Sequence, residues 1–65
     1  MSAHDAAYQA YLYLQLRYHA AQAGDVVAAE FAAVKATVLL REYVSAYFEE
    51  EAKQAKLAGE AGPVQ

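Results

Sequence analysis

The fold is decided by the stretch from Asp25 to Leu57, which reads DVVAAEFAAVKATVLLREYVSAYFEEEAKQAKL. It contains neither Gly nor Pro, and most of its residues have a low free-energy cost in a helix. Gly24 suits the left-handed position that follows a helix C-terminus, and Asp25 can cap a new helix by accepting a free backbone N–H. The stretch therefore predicts a long second helix over about residues 26–58.

Both ends of the chain carry helix-boundary residues. Ser2, followed three residues later by Asp5, fits an N-cap for a first helix over about residues 3–23. Gly59, and then Gly62-Pro63, are typical of the end of a helix. Because the C-terminal segment is short and polar and contains two Gly and one Pro, we expect a flexible tail at 59–65.

The two helices should form an antiparallel hairpin over residues 1–58, with a turn at 24–25. At about 1.5 Å per residue, the first helix is ~30 Å long and the second ~48 Å. Ala3 should then lie near Tyr47, beyond which the second helix has no neighbour from its own chain. Bulky apolar residues also stop soon after that point, apart from Leu57. We predict an all-α fold, a two-helix antiparallel hairpin with a longer second helix.

Each predicted helix carries two apolar stripes rather than one. On the first helix the stripes are Ala7, Tyr11, Leu14, Tyr18 and Ala21, and Tyr8, Leu12, Leu16 and Ala23, with Ala6, Ala10, Arg17 and Ala20 on the opposite side. On the second helix they are Val26, Ala29, Ala33, Thr37, Leu40, Val44 and Tyr47, and Val27, Phe31, Val34 and Val38. Packing on one neighbour needs one stripe, so two stripes predict two neighbours. We expect one pair of stripes to pack inside the hairpin.

The second neighbour is most simply another copy of the chain. Each helix of a hairpin buries one flank, and a chain of 65 residues without Cys has no disulfide to compensate for a small core. A homodimer would complete a four-helix bundle, and a different protein in the same role is the alternative. The candidate self-association residues are Tyr11, Leu14, Tyr18, Phe31, Val34 and Val38.

The six tyrosines exceed what a small core needs. Tyrosine combines a large contact area with a polar tip, and it is enriched at protein interfaces and binding hot spots. Tyr13 falls outside both stripes of its helix. We therefore take Tyr13, Tyr43 and Tyr47 as a candidate partner-binding surface, with packing inside a dimer as the alternative.

Composition excludes several classes of protein. The net charge is −3 and the five cations are scattered, whereas nucleic-acid binding needs a clustered basic face. The outline is similar to a small RNA-binding hairpin of plasmid copy control, but Arg17 is the one Lys or Arg in the first helix. Charges interrupt the most apolar region, so we expect no membrane span, and no secretion leader is visible. We take a cytoplasmic location as the default.

No residue pattern points to catalysis. His4 and His19 lie four helical turns apart, too far to hold one metal within a chain, and neither belongs to a Glu-x-x-His pair. Consecutive residues fan around a helix, so Glu49, Glu50 and Glu51 form a solvated charge run rather than a cation site. The open alternative is a cofactor- or metal-binding bundle that uses His19 across a dimer axis.

The sequence therefore favours a non-enzymatic protein–protein interaction module: a small regulator, inhibitor, co-chaperone or assembly subunit. It would act by docking a helix face into a groove of its partner. We expect it to need no cofactor and no small-molecule substrate. Its partners would be a second copy of itself and another protein.

Overall fold

The computed structural model describes residues 1–61, with side chains up to residue 59, and contains two helices. Helix α1 spans Ala3–Gln22 and helix α2 spans Val26–Ala61. The two helices pack against each other as an antiparallel hairpin that measures 62 × 15 × 13 Å between Cα atoms. No strand occurs in residues 1–61. The predicted helical hairpin with a longer second helix is confirmed.

The turn follows from Gly24 and Asp25. Gly24 has φ +77°, a left-handed conformation that glycine adopts without steric cost. Its N–H donates to the Ala21 carbonyl at 3.1 Å, and the Asp25 N–H donates to the Ala20 carbonyl at 2.8 Å. This pair of bonds is a Schellman motif, which satisfies the last carbonyls of α1. The Asp25 carboxylate then accepts the Ala28 N–H at 3.0 Å, so one residue both ends α1 and caps α2.

The N-terminus of α1 is capped as the sequence predicted. The Ser2 hydroxyl oxygen accepts the Asp5 N–H at 3.1 Å, and Ser2 itself is extended. Asp5 also places a carboxylate in the first turn, where the helix dipole favours negative charge.

Helix α2 continues to Ala61, about three residues past its predicted end. Gly59 therefore lies within the helix. A glycine at such a position costs about 1 kcal/mol relative to alanine, but it keeps its backbone N–H and so does not break the hydrogen-bond pattern. The tail was predicted at 59–65. Its residues 62–65 lie outside the described part of the chain.

Alanines make the contact between the helices, which corrects the expectation that one pair of large apolar stripes packs inside the hairpin. The buried residues are Ala3, Ala6, Ala10 and Ala20 of α1 and Ala32, Ala36 and Leu39 of α2. Side chains at the contact set the distance between helix axes, so alanines let the backbones approach closely. Stripes of Leu and Tyr would hold the axes apart, and they flank the contact instead.

The open end of the hairpin is closed by one long-range bond. The Ala3 N–H donates to Glu50 Oε2 at 3.4 Å, one turn beyond the predicted neighbour Tyr47. All side chains from residue 51 to residue 59 are exposed. We call residues 51–61 the overhang, since α1 does not cover this part of α2.

Candidate interaction surface

The large side chains of this protein lie on its surface. Among the described Val, Leu, Met, Phe and Tyr residues, Tyr13, Leu39 and Tyr43 are the three that are not exposed. The exposed ones are Met1, Tyr8, Tyr11, Leu12, Leu14, Leu16, Tyr18, Val26, Val27, Phe31, Val34, Val38, Leu40, Val44, Tyr47, Phe48 and Leu57. Monomeric soluble proteins rarely expose contiguous apolar patches of this extent, so these side chains define the candidate site.

One broad side of the hairpin is largely apolar along its middle, where Arg41 borders Leu40 and Val44 at the outer edge. Ala21 and Arg17 of α1 line a groove of about 300 Å³ together with Val26, Ala29 and Ala33 of α2. Ala21 continues the first α1 stripe, and the three α2 residues begin the stripe that ends at Tyr47, so both stripes lie on this side. We call it the uncharged face: Tyr11, Leu14 and Tyr18 of α1 with Val26, Leu40, Val44 and Tyr47 of α2.

The other broad side mixes apolar and charged groups. Tyr13 and Phe31 meet here across the two helices, with ring centroids 6.4 Å apart and planes at 63°. Lys35 Nζ lies 5.6 Å from the Phe31 ring centroid, within cation–π range. We call it the mixed face: Leu12 and Leu16 of α1 with Phe31, Lys35, Val38 and Glu42 of α2. Leu12, Tyr13 and Leu16 line a groove of about 360 Å³ with Gln9.

The six candidate self-association residues do not share one face. The structure brings Tyr11, Leu14 and Tyr18 together on the uncharged face. Phe31 and Val38 lie on the mixed face, and Val34 lies on the outer side of α2. All six are exposed. One flat interface therefore cannot use the whole set, and the assignment of these residues to self-association stays a prediction.

The three candidate partner-binding tyrosines are also separated. Tyr13 is half-buried beside α2, where its ring contacts Phe31. Tyr43 is half-buried in line with the alanine contact, and its ring centroid lies 6.1 Å from that of Tyr47. Tyr47 also packs edge-on against Phe48 at 5.8 Å. Tyr43 and Tyr47 thus belong to an aromatic cluster near the open end, whereas Tyr13 lies elsewhere.

Tyr47 has a distinct electrostatic setting. Its hydroxyl donates to Glu51 Oε2 at 2.9 Å, one turn along α2. This hydrogen bond, and the negative charge of Glu51, disfavour the phenolate and raise the pKa of Tyr47 above its ordinary value. Glu51 is held at the end of the uncharged face by the same bond.

The histidines are placed apart from these clusters. His19 is exposed and meets the neighbouring Tyr18 ring edge-on at 5.5 Å. In the described residues no three His, Asp or Glu side chains come together in a metal-binding group. The His19 alternative stays a prediction, which an absorbance spectrum and metal analysis of the purified protein would test. Neither helix of the described chain is long and apolar enough to cross a membrane.

Sequence reasoning missed the alanine contact and two charged residues. Ala3, Ala6 and Ala10 repeat at helical spacing, as do Ala32 and Ala36, and this pattern was the available signal. Arg17 was placed on the side opposite the stripes, and the structure shows it lining the groove of the uncharged face. Glu51 is exposed, as a residue of the predicted solvated run should be, and it is also the acceptor for the Tyr47 hydroxyl, which the sequence reasoning did not identify.

No protein-family model, curated protein or solved structure matches this chain.

Proposed function

We propose that this chain is a non-enzymatic protein–protein interaction module that dimerises into a four-helix bundle. One observation carries the proposal: the hairpin buries alanines and leaves most of its Leu, Val, Phe and Tyr side chains in water. A fold whose large apolar groups mostly point outward lacks most of the core that its own sequence could supply. A partner that covers those groups would provide it.

The free energy available from covering the large exposed side chains favours such a partner. Covering one Leu, Val or Phe side chain contributes about 1.5–3 kcal/mol, whereas each buried methyl-sized group contributes ~0.8 kcal/mol. The hairpin contact is built almost wholly from the smaller kind of group. A chain of 65 residues without Cys has no disulfide to compensate for this. Association of two hairpins through their outward stripes is the most direct way to stabilise the fold.

A dimer that uses one broad side leaves the other available. The exposed Leu12, Leu16 and Phe31 would then dock a helix or groove of another protein, with Lys35 as a charged contact. The aromatic cluster of Tyr43 and Tyr47 is a second candidate contact. This arrangement suits a small cytoplasmic regulator, inhibitor, co-chaperone or assembly subunit.

The test is solution mass by light scattering over a concentration series, with helicity followed by circular dichroism on the same samples. We expect twice the chain mass at high concentration, and a joint loss of mass and helicity on dilution. Joint loss is expected because folding and association bury the same side chains.

A monomer that stays fully helical at every concentration would contradict the proposal, since its exposed side chains would then need no cover. A poorly helical monomer would overturn the homodimer. It would assign the missing half of the core to another protein, which capture from the native host would identify.

A further inference from the structure

The uncharged face has one residue of each charge sign at its turn end and a glutamate at its open end. Arg17 and Glu30 both line the groove beside the turn. Glu51 lies past the open end of the hairpin, where Tyr47 holds its carboxylate at 2.9 Å. Between these ends, the seven residues that define the face carry no charge. The two ends therefore differ in charge, and Arg41 borders the middle at its outer edge.

The overhang gives the face a second asymmetry. Helix α1 ends its cover of α2 near Glu50, and α2 runs on to Ala61. At about 1.5 Å per residue the overhang is ~16 Å long. Ala55 and Ala58 follow Glu51 at helical spacing, so small side chains continue the stripe of the uncharged face along it. Both are exposed, and no part of the chain within residues 1–59 covers them.

We propose that two copies pair through their uncharged faces in an antiparallel, two-fold arrangement. Arg17 of each subunit would then meet Glu51 of the partner subunit, and Leu40 and Val44 would lie next to the symmetry axis. The inference rests on the proposed dimerisation and adds its face and orientation. The overhang of each α2 lies along the turn end of the other hairpin, which explains why α2 is longer than α1.

Charge disfavours the parallel arrangement. In a parallel pair the two overhangs would lie at the same end, and Glu51 of each uncharged face would lie near its own copy. Like charges placed together across an interface cost several kcal/mol. In the antiparallel pair each acidic end meets Arg17 instead, and two-fold symmetry makes this contact twice.

The area of the uncharged face suits a dimer. A fully covered tyrosine buries roughly 150–250 Å², and Tyr11, Tyr18 and Tyr47 are 54%, 61% and 42% exposed. With the four aliphatic side chains of the face, on the order of 600 Å² per chain is available, against about 800 Å² per partner in a standard interface. Contacts from the overhang would add the remainder. The mixed face carries Lys35 and Glu42 within its apolar area and is less suited to self-pairing.

Site-directed cross-linking tests the arrangement, because the chain has no Cys of its own. The samples are Arg17→Cys, Glu51→Cys, an equimolar mixture of these two variants, and Val38→Cys on the mixed face as a control. A mixed dimer keeps one Arg17–Glu51 pair and has a thiol on each chain at the other. Each sample is treated with a short bismaleimide and read by denaturing gel, after light scattering has established its mass. Arg17 lies beside Ala29 and Ala33, about 27 Å along α2 from Glu51, so the two thiols in an antiparallel pair of one variant are too far apart to be bridged.

The expected result is a covalent dimer for the mixture of Arg17→Cys and Glu51→Cys and little for any single variant. Cross-linking of Glu51→Cys alone would show a parallel pair, and cross-linking of Val38→Cys would show pairing through the mixed face; either overturns the inference. A dimeric mixture that does not cross-link overturns it too, and leaves the proposed function intact. A wild-type protein that is monomeric at every concentration would contradict both the antiparallel arrangement and the proposed dimerisation.

Discussion

The hydroxyl of Tyr47 donates a hydrogen bond of 2.9 Å to the carboxylate of Glu51, across one turn of α2. Both residues lie where the cover of α1 ends, so the bond joins the last residue of the uncharged face to the first of the overhang. The interaction is local and exposed. Its effect on the phenol is nevertheless specific enough to be measured.

Glu51→Gln should lower the pKa of Tyr47 toward its ordinary value. The hydrogen bond and the charge of Glu51 both favour the neutral phenol, and both are weakened by the substitution. Because the folded-state pKa is raised, the stabilisation is present below the unfolded pKa of 10.0 and is lost as the pH rises through the folded value. The measurement is ultraviolet titration of the phenolate, with Tyr47→Phe subtracted to isolate this residue.

Glu50→Gln is the matched control for that titration. Glu50 accepts from the Ala3 N–H rather than from a tyrosine. Its removal should leave the Tyr47 curve where it is. Superimposable curves for wild type and Glu51→Gln would show that the hydrogen bond does not form in solution.

Gly24→Ala and Gly59→Ala should change stability in opposite directions. A Cβ at either position would meet nothing within 4 Å, so the backbone decides both outcomes. Gly24 has φ +77°, where a Cβ is strained, so Gly24→Ala should destabilise by about 1 kcal/mol. Gly59 lies in a helix, where alanine is favoured by up to ~1 kcal/mol. Urea unfolding followed by circular dichroism measures both, and equal midpoints for the two variants would contradict the assigned turn.

Ala6→Leu should destabilise the hairpin because the contact has no space for a larger side chain. Ala6 is 0% exposed against α2. Extra methylene groups in a packed interior typically cost 1–3 kcal/mol, roughly as much as the fold can lose. The control is Ala52→Leu on the exposed overhang, where we expect a change within about 0.5 kcal/mol. If Ala6→Leu and Ala52→Leu unfold with the same midpoint, the alanines are not the contact between the helices.

Leu40→Glu should weaken dimerisation far more than Val38→Glu. The two side chains are 43% and 46% exposed on the same helix, so a monomer should tolerate either equally. In the proposed dimer Leu40 lies near the axis of the uncharged face. Losing its burial in the dimer removes part of the about 1.5–3 kcal/mol that full burial of a leucine contributes, and the added charge increases the loss. Sedimentation velocity should show a dissociation constant at least about tenfold higher for Leu40→Glu. A larger effect from Val38→Glu would move the interface to the mixed face.

The sequence predicted the hairpin because local signals determine it. Ser2, Gly24 and Asp25 act through bonds within one turn of their own positions, and these bonds are present in the structure. The inward face was missed because hydrophobic periodicity weights Leu and Tyr above Ala. In this hairpin close backbone approach decides the contact, and that is a property of two helices together.

The candidate site, too, depends on how the two helices pack, which the pattern of one helix does not show. Which exposed residues share a surface depends on how each helix is rotated about its axis, and the inward stripe fixes that rotation. With alanines inward, Leu14 and Tyr18 lie on one broad side and Phe31 on the other. A sequence stripe identifies neighbours on one helix, but it does not identify neighbours across two helices.

The alanine contact also limits which substitutions this sequence can accept during evolution. Alanine is already the smallest chiral side chain, so substitution at Ala6, Ala10 or Ala32 must either add atoms where none fit or give glycine, which costs about 1 kcal/mol in a helix. The exposed Leu and Val positions can exchange with one another far more freely. In distant descendants of this chain, the alanines of the contact should therefore be retained more often than its exposed Leu and Val residues.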